Sequence, residues 1–310
     1  MLFQDILNEK TRAVRPDFDK LFELIIKNQT HPSDALLTRV NGFYNPEVHT
    51  WNNIPEKLSP YVIGPNSEGL SDQLHYKFIH NYRSNSIAKL TFPEYLKELE
   101  YSPEKRDSID ELEEFEGSTI QLEMLIYLKI WEADAFIKKF YQLARLLNGE
   151  PYDWHFKIKE SNRDSEATGT RENIIRLKIR DRFQAQLPEL YKSFKSAYLT
   201  QVRNSIAHSK YSFLGRNIHL NNNIPSDPAA QLVNLPFDQW IDMFHDTMII
   251  YNEQLRLSNR INEYYGNIAQ RNGNLVEIRI SRKDPTEDVV FMDLKYREEY
   301  QDWNWNRNEE

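Results

Sequence analysis

The sequence predicts an all-α protein with small β additions. Long stretches carry apolar residues at helical spacing, and strand-like alternation is confined to short runs in the last third. A hydrophobic share of 40% against 28% charged marks a globular chain. At 310 residues it is long enough for two domains and can bury a sizeable core.

The elements follow in order. Phe18, Leu21, Phe22, Leu24, Ile25 and Ile26 form an apolar stripe that Pro32 ends. Pro46, Pro55, Pro60 and Pro65 mark an irregular connection over 43–66, and a polar helix is expected from Gln73 to Lys89. The acidic segment 94–116 reads as a linker or solvated helix, with a domain boundary near Gly117. Ser118-Thr119-Ile120-Gln121 then reads as a helix start. A single apolar helix is expected from Ile120 to Leu147, stopped by Gly149. A polar loop over 160–170 precedes helices at Arg171–Gln186 and Glu189–Ser209, separated by Pro188. Tyr211–Leu214 and Ile218–Leu220 flank Gly215-Arg216-Asn217 as a small hairpin, Phe237–Ile268 forms another long helix, and Leu275–Ile280 pairs with Val289–Leu294. The expected organisation is a helical N-terminal region (1–116), a helical domain (117–270) and a C-terminal hairpin and tail (271–310).

Composition excludes several classes. The absence of cysteine removes disulfides, thiolate zinc sites and thiol catalysis, and suits a reducing compartment. Nine glycines argue against a glycine-rich nucleotide loop. No window holds the ~18 apolar residues of a membrane span, and the start lacks a secretory signal, so a cytoplasmic protein is expected. The net charge of -8 opposes a nucleic-acid partner, but the charge is unevenly spread. Between Glu94 and Glu116 lie ten acidic and three basic residues, whereas Leu190–Ser226 has no acid and carries Lys192, Lys195, Arg203, Lys210 and Arg216. With a Debye length of ~8 Å, that local excess can meet phosphate despite the acidic total, though charge alone fits a solvated helix face equally well.

The one chemically suggestive segment is Arg203-Asn204-Ser205-Ile206-Ala207-His208. At ~100° per residue, Val202 and Ile206 face a core, while Arg203, Asn204 and His208 bracket an outward sector with small Ala207 in its middle. Residues 199–211 resemble the signature of the HEPN superfamily: arginine, a polar residue, a short spacer, then histidine. The resemblance covers residues 118–270. It implies a compact helical bundle, an RNA endonuclease of toxin, abortive-infection or CRISPR-linked defence, and a homodimer joining two arginine–histidine pairs. No metal and no cofactor is implied. Arg203, His208 and Asn204 become catalytic candidates, and Lys210 and Tyr211 substrate-binding ones. Some relatives place a tyrosine two residues after the histidine, whereas Tyr211 lies three after His208. Many members have lost catalysis and serve as binding or protein-interaction modules, and a regulatory or antitoxin-like partner is a further implication.

The residue types suit the chemistry. Attack of an RNA 2′-hydroxyl on the adjacent phosphorus needs proton removal, proton donation and stabilisation of a dianionic transition state. Imidazole, with an ordinary pKa near ~6.5, performs either proton task at neutral pH. A guanidinium is always charged and forks onto two phosphate oxygens. One such histidine per chain is too few for separate acid and base roles, which is the physical reason to expect a dimer.

Other clusters carry less. A histidine at a helix end is commonly a dipole cap, and an arginine before it commonly solvated. His75 and His80 are five apart rather than the four of a helical zinc pair. Asp242, His245 and Asp246 read as a solvated helix face. Glu132 and Asp134, inside the most apolar helix, need partners; either could hold an arginine of the site or, equally well, form an ordinary buried ion pair. Asp153-Trp154-His155 reads as a turn. The Trp303-Asn304-Trp305 tail reads as packed against the body, with base stacking as its functional alternative.

Overall fold

The computed structural model describes residues 1–39, 69–161, 163–282, 284, 286 and 288–306. The proline-rich connection expected over 43–66 lies outside them. Helices dominate: α1 (Gln4–Asn28), α2 (Gly69–Asn85), α3 (Phe92–Glu98), α4 (Arg106–Trp131) and α5 (Asp134–Leu147). A helical stretch over 171–183 (α6) is π-helical at Ile174–Arg180. It is followed by α7 (Pro188–Ala197), α8 (Thr200–Ala207) and the 35-residue α9 (Phe237–Arg271). Among the described residues no helix is long and apolar enough to cross a membrane.

Two antiparallel three-stranded sheets complete the fold. The first, in order β1 (Tyr211–Phe213), β2 (Asn217–Leu220), β3 (Asn234–Pro236), turns at Gly215 with φ 52°. The second, β4 (Leu275–Ile280), β5 (Val290–Arg297), β6 (Asp302–Trp305), pairs Leu275 with Lys295 and Ile280 with Val290. Both expected hairpins are present, each widened by a third strand that the sequence pattern did not announce.

The chain forms two compact units, each assembled from three separated stretches. One comprises Met1–Pro16, Tyr76–Ala133 and Glu189–Asn252, the other Asp17–His75, Asp134–Pro188 and Glu253–Glu310. This differs from the expected succession of domains. The boundary placed near Gly117 falls inside α4, where Gly117 lies against the Phe213 ring: a Cβ there would be 3.4 Å from it.

The first unit positions the candidate site. Its core is aromatic: Trp131 packs on Phe194 and Tyr198, with centroids 5.8 and 5.1 Å apart, and Tyr127 packs on Trp240 at 5.6 Å. Such pairs add directional contact to area burial. Buried Glu123 accepts hydrogen bonds from the Tyr82 hydroxyl at 2.6 Å and from Trp240 Nε1 at 2.7 Å. In the second unit the Phe140 ring meets Phe18, Phe136 and Phe183, and Trp303 is wholly buried, its indole donating to Asn262 Oδ1 at 2.9 Å.

Several sequence expectations need correction. The stripe beginning at Phe18 belongs to a helix that already starts at Gln4 and continues through Pro16. Of the two readings of the acidic stretch, linker or solvated helix, the structure shows the helix: α3 and the first half of α4 carry it, with most carboxylates outward and only Glu116 buried among them. The expected helix from Ile120 to Leu147 breaks at Glu132-Ala133, and the one from Glu189 to Ser209 breaks at Tyr198-Leu199. Leu199 is extended at φ −116° and ψ 115°, while buried Tyr198 is fixed against Trp131. Neither break carries glycine or proline; tertiary packing overrides local periodicity.

Candidate functional site

Helix α8 presents the motif. Val202 and Ile206 are buried as the rotation along the helix requires, together with Gln201 and Ser205, while Arg203 and Asn204 are half-buried. The Gln201 carboxamide ties the helix to the segment before β3, donating to Leu232 O at 2.6 Å and accepting from Leu232 N–H at 3.0 Å.

The helix ends immediately after the motif, and the manner of ending places His208. Ser209 adopts the left-handed conformation at φ 52°. Its N–H donates to Ile206 O at 3.2 Å, and Lys210 N–H reaches back to Ser205 O at 2.8 Å. This pair of bonds is a Schellman termination, which commonly uses glycine at the position held here by Ser209. His208 is thus the cap of α8 (φ −107°, ψ 11°), exposed at the negative end of the helix dipole. Lys210 is exposed and Tyr211 half-buried at the start of β1, its ring 5.9 Å from that of Phe213.

The break at the end of α4 supplies the partner of Arg203. Glu132 caps α4, and its Oε1 accepts a hydrogen bond from Arg203 Nε. Arg203 Nη1 also donates to Asn204 Oδ1 at 2.7 Å. Nη2 has no partner among the described residues, so one edge of the guanidinium stays open. Burial opposes the Arg203 charge, but the hydrogen bond and charge of Glu132 more than offset that and hold its pKa above the ordinary value. Asp134, the other carboxylate singled out by its apolar surroundings, pairs with Arg171 at 2.8 Å in the second unit.

The motif residues are therefore only partly gathered. Arg203, Asn204 and Glu132 form one hydrogen-bonded group. Among the described residues no hydrogen bond joins the His208 imidazole to Arg203, Asn204 or Tyr211, and five residues of helix separate it from Arg203 by ~7.5 Å along the axis.

The local positive charge expected over 190–226 is weaker than the sequence suggests. Arg216 holds Glu116 and Asp238, Lys192 holds Glu189 at 2.7 Å, and Arg203 holds Glu132. Lys195 and Lys210 are the cations of this stretch with no ion-pair partner among the described residues. Carboxylates distant in sequence fold back onto the basic run, and Glu116 gave no signal of this beyond lying in an acidic segment.

The remaining clusters resolve into structure. His80 stacks on Tyr76 at 5.6 Å, and among the described residues no group of three or more His, Asp or Glu is arranged to hold a metal. The solvated face expected around His245 and Asp246 is instead interior: both are buried, and only Asp242 is exposed. Lys10 bridges the two carboxylates, at 2.7 Å to Asp242 and 2.9 Å to Asp246. Asp153 does form a turn, accepting His155 N–H at 2.9 Å.

What the arrangement can do chemically is bind an anion on the open edge of Arg203 and exchange a proton at exposed His208. No family model, curated protein or solved structure matches the chain.

Proposed function

We propose that the protein is a metal-independent RNA endonuclease of the HEPN type, acting in the cytoplasm as a homodimer. The observation that carries this reading is the pairing of a preorganised guanidinium with a solvent-facing imidazole on one short helix. Arg203 is fixed by Glu132 and Asn204 with Nη2 open, and His208 caps the same helix.

In the proposed reaction the RNA 2′-oxygen bonds to the adjacent phosphorus while the bond to the 5′-oxygen breaks. One imidazole takes the 2′-hydroxyl proton, and a second, from the partner copy, protonates the departing 5′-oxygen. The products are a 2′,3′-cyclic phosphate and a 5′-hydroxyl. Arg203 stabilises the charge that accumulates on the non-bridging oxygens, the kind of fixed electrostatic support that usually supplies the largest catalytic contribution. Exposed Ala207 and His208 leave room for a symmetric helix–helix approach. Lys210 and Tyr211 flank the position where RNA would lie. A role in anti-phage defence or as a toxin, with a controlling antitoxin-like partner, follows from the motif resemblance alone.

A second reading has one observation in its favour. Because carboxylates neutralise Arg203, Arg216 and Lys192, the site's field is modest, as suits a non-catalytic RNA- or nucleotide-binding module. Incubation with structured and unstructured RNA in EDTA separates the two. Cleavage to cyclic-phosphate ends, slowed at least ~100-fold in His208→Ala and Arg203→Ala, is the expected result. RNA left intact by the wild type, or cut equally well by His208→Ala, refutes the endonuclease reading.

A further inference from the structure

The break between α4 and α5 has no glycine or proline to explain it, yet it sets Glu132 against Arg203. A carboxylate beside a phosphate-binding arginine can act in two opposite ways. It can compete with phosphate for the guanidinium, or it can hold one edge so that another faces the ligand. The contact is one-point: a single carboxylate oxygen meets Nε, while Asn204 takes a hydrogen of Nη1. Of the five guanidinium hydrogens, these two bonds engage two, and the free ones lie on Nη1 and Nη2 at the far end of the group. The pair is also reachable, with Glu132 34% and Arg203 21% exposed at the side chain. Asn204 follows Arg203 on the same helix, so the guanidinium is pinned from two elements, the end of α4 and α8 itself.

Resting on the endonuclease reading, we propose that Glu132 is a positioning residue that clamps Arg203 through Nε and leaves the Nη end to bind an RNA phosphodiester without displacing the carboxylate. The clamp lowers the conformational freedom that a long arginine side chain would otherwise lose on binding, the usual route by which preorganisation raises affinity. It also explains why a neutralised arginine suffices: the bound phosphate meets aligned N–H donors rather than bare net charge.

The test uses the full-length chain and a 2′-O-methyl RNA oligonucleotide, which binds but lacks the attacking hydroxyl, alongside cleavage of the matching RNA. Glu132→Gln keeps an acceptor for Nε–H and should stay within about threefold of wild type in affinity and KM. Glu132→Ala should weaken both about tenfold, leaving the pH profile of kcat in place because the imidazole is untouched. Arg203→Ala and the Glu132→Ala, Arg203→Ala double variant should be indistinguishable in RNA affinity and KM, since the clamp reaches RNA through Arg203. Equal or tighter binding by Glu132→Ala overturns the clamp in favour of competition. A further loss in the double variant overturns it as well. If Glu132→Ala does not fold, nitrogen-15 NMR of the wild type answers the same question. The Arg203 Nε–H signal should stay bonded when the 2′-O-methyl RNA is added, and its release overturns the proposal. Arg203→Ala with unimpaired cleavage removes the endonuclease site itself, whereas impaired Arg203→Ala beside unimpaired Glu132→Ala removes only the clamp.

Discussion

Arg216 grips Glu116 through two parallel hydrogen bonds, Nε to Oε2 and Nη2 to Oε1, each 2.8 Å. Glu116 is 2% exposed, and this fork, with a third bond from Nη2 to Asp238 Oδ1 at 2.7 Å, raises the Arg216 pKa. A cation so engaged is a structural clamp joining the first sheet to α4, not a phosphate ligand. Arg216→Ala should therefore lower the unfolding free energy by ~3 kcal/mol, because it strands a buried carboxylate. RNA affinity of the folded variant should be unchanged. Urea unfolding and a filter-binding titration check the two halves, and intact stability with lost RNA binding would reverse the assignment.

His245 gives the fold an acid-sensitive point. Its Nε2 accepts Phe3 N–H at 2.8 Å, and its Nδ1 lies 2.6 Å from Ile241 O, which fixes the neutral tautomer with the proton on Nδ1. Burial pushes its pKa down to about 4, against a value near ~6.5 in the unfolded chain. Between these values the unfolded chain binds the extra proton, so stability is complete above pH ~6.5 and is lost as pH falls toward 4, on the order of 3 kcal/mol. Buried Asp246, pushed upward by desolvation, works with the opposite sign just above the ordinary carboxylate range. His245→Gln, which still accepts from Phe3, should flatten the dependence between pH 6.5 and 4.5. Unfolding midpoints across that range decide the matter; an unchanged slope would assign the effect elsewhere.

These two residues also mark the limit of what the sequence made legible. The long helix beginning at Phe237, the helix start at Pro188, the two hairpins and the inward faces of Val202 and Ile206 all follow from periodicity and turn residues. The apolar surroundings of Glu132 and Asp134 signalled that each needs a partner but not which; Glu132 holds Arg203 of the motif, and Asp134 an ordinary ion pair with Arg171. The failures share one cause, a decision made by contacts distant in sequence. Asp242, His245 and Asp246 look polar and solvated until Phe3 and Lys10 fold against them. The positive run over 190–226 looks open until Glu116 and Glu132 reach it. The helix ends at Tyr198 and Glu132 lack any local breaker, so only the packing of Trp131 and Tyr198 records why the chain turns there.

The second unit carries an alkaline counterpart to His245. Lys138, on α5, is 1% exposed, with its ammonium 5.7 Å from the centre of the Tyr152 ring. Burial brings its pKa down to about 7, and the nearby Asp153 charge only partly opposes this. The ordinary value is near ~10.4, so from pH 7 upward the unfolded chain holds a proton that the folded chain releases. Stability should therefore rise from pH 7 to 9.5, where the raised pKa values of Tyr141 and Tyr152 keep both phenols protonated. Lys138→Met replaces the ammonium with an apolar group of similar length. It should be more stable than wild type at pH 7, by a few kcal/mol at most, and should show no rise up to pH 9.5. Thermal unfolding of both chains at pH 7, 8 and 9.5 measures this, and a variant that keeps the wild-type slope would show that Lys138 is charged in the fold at every pH in the range.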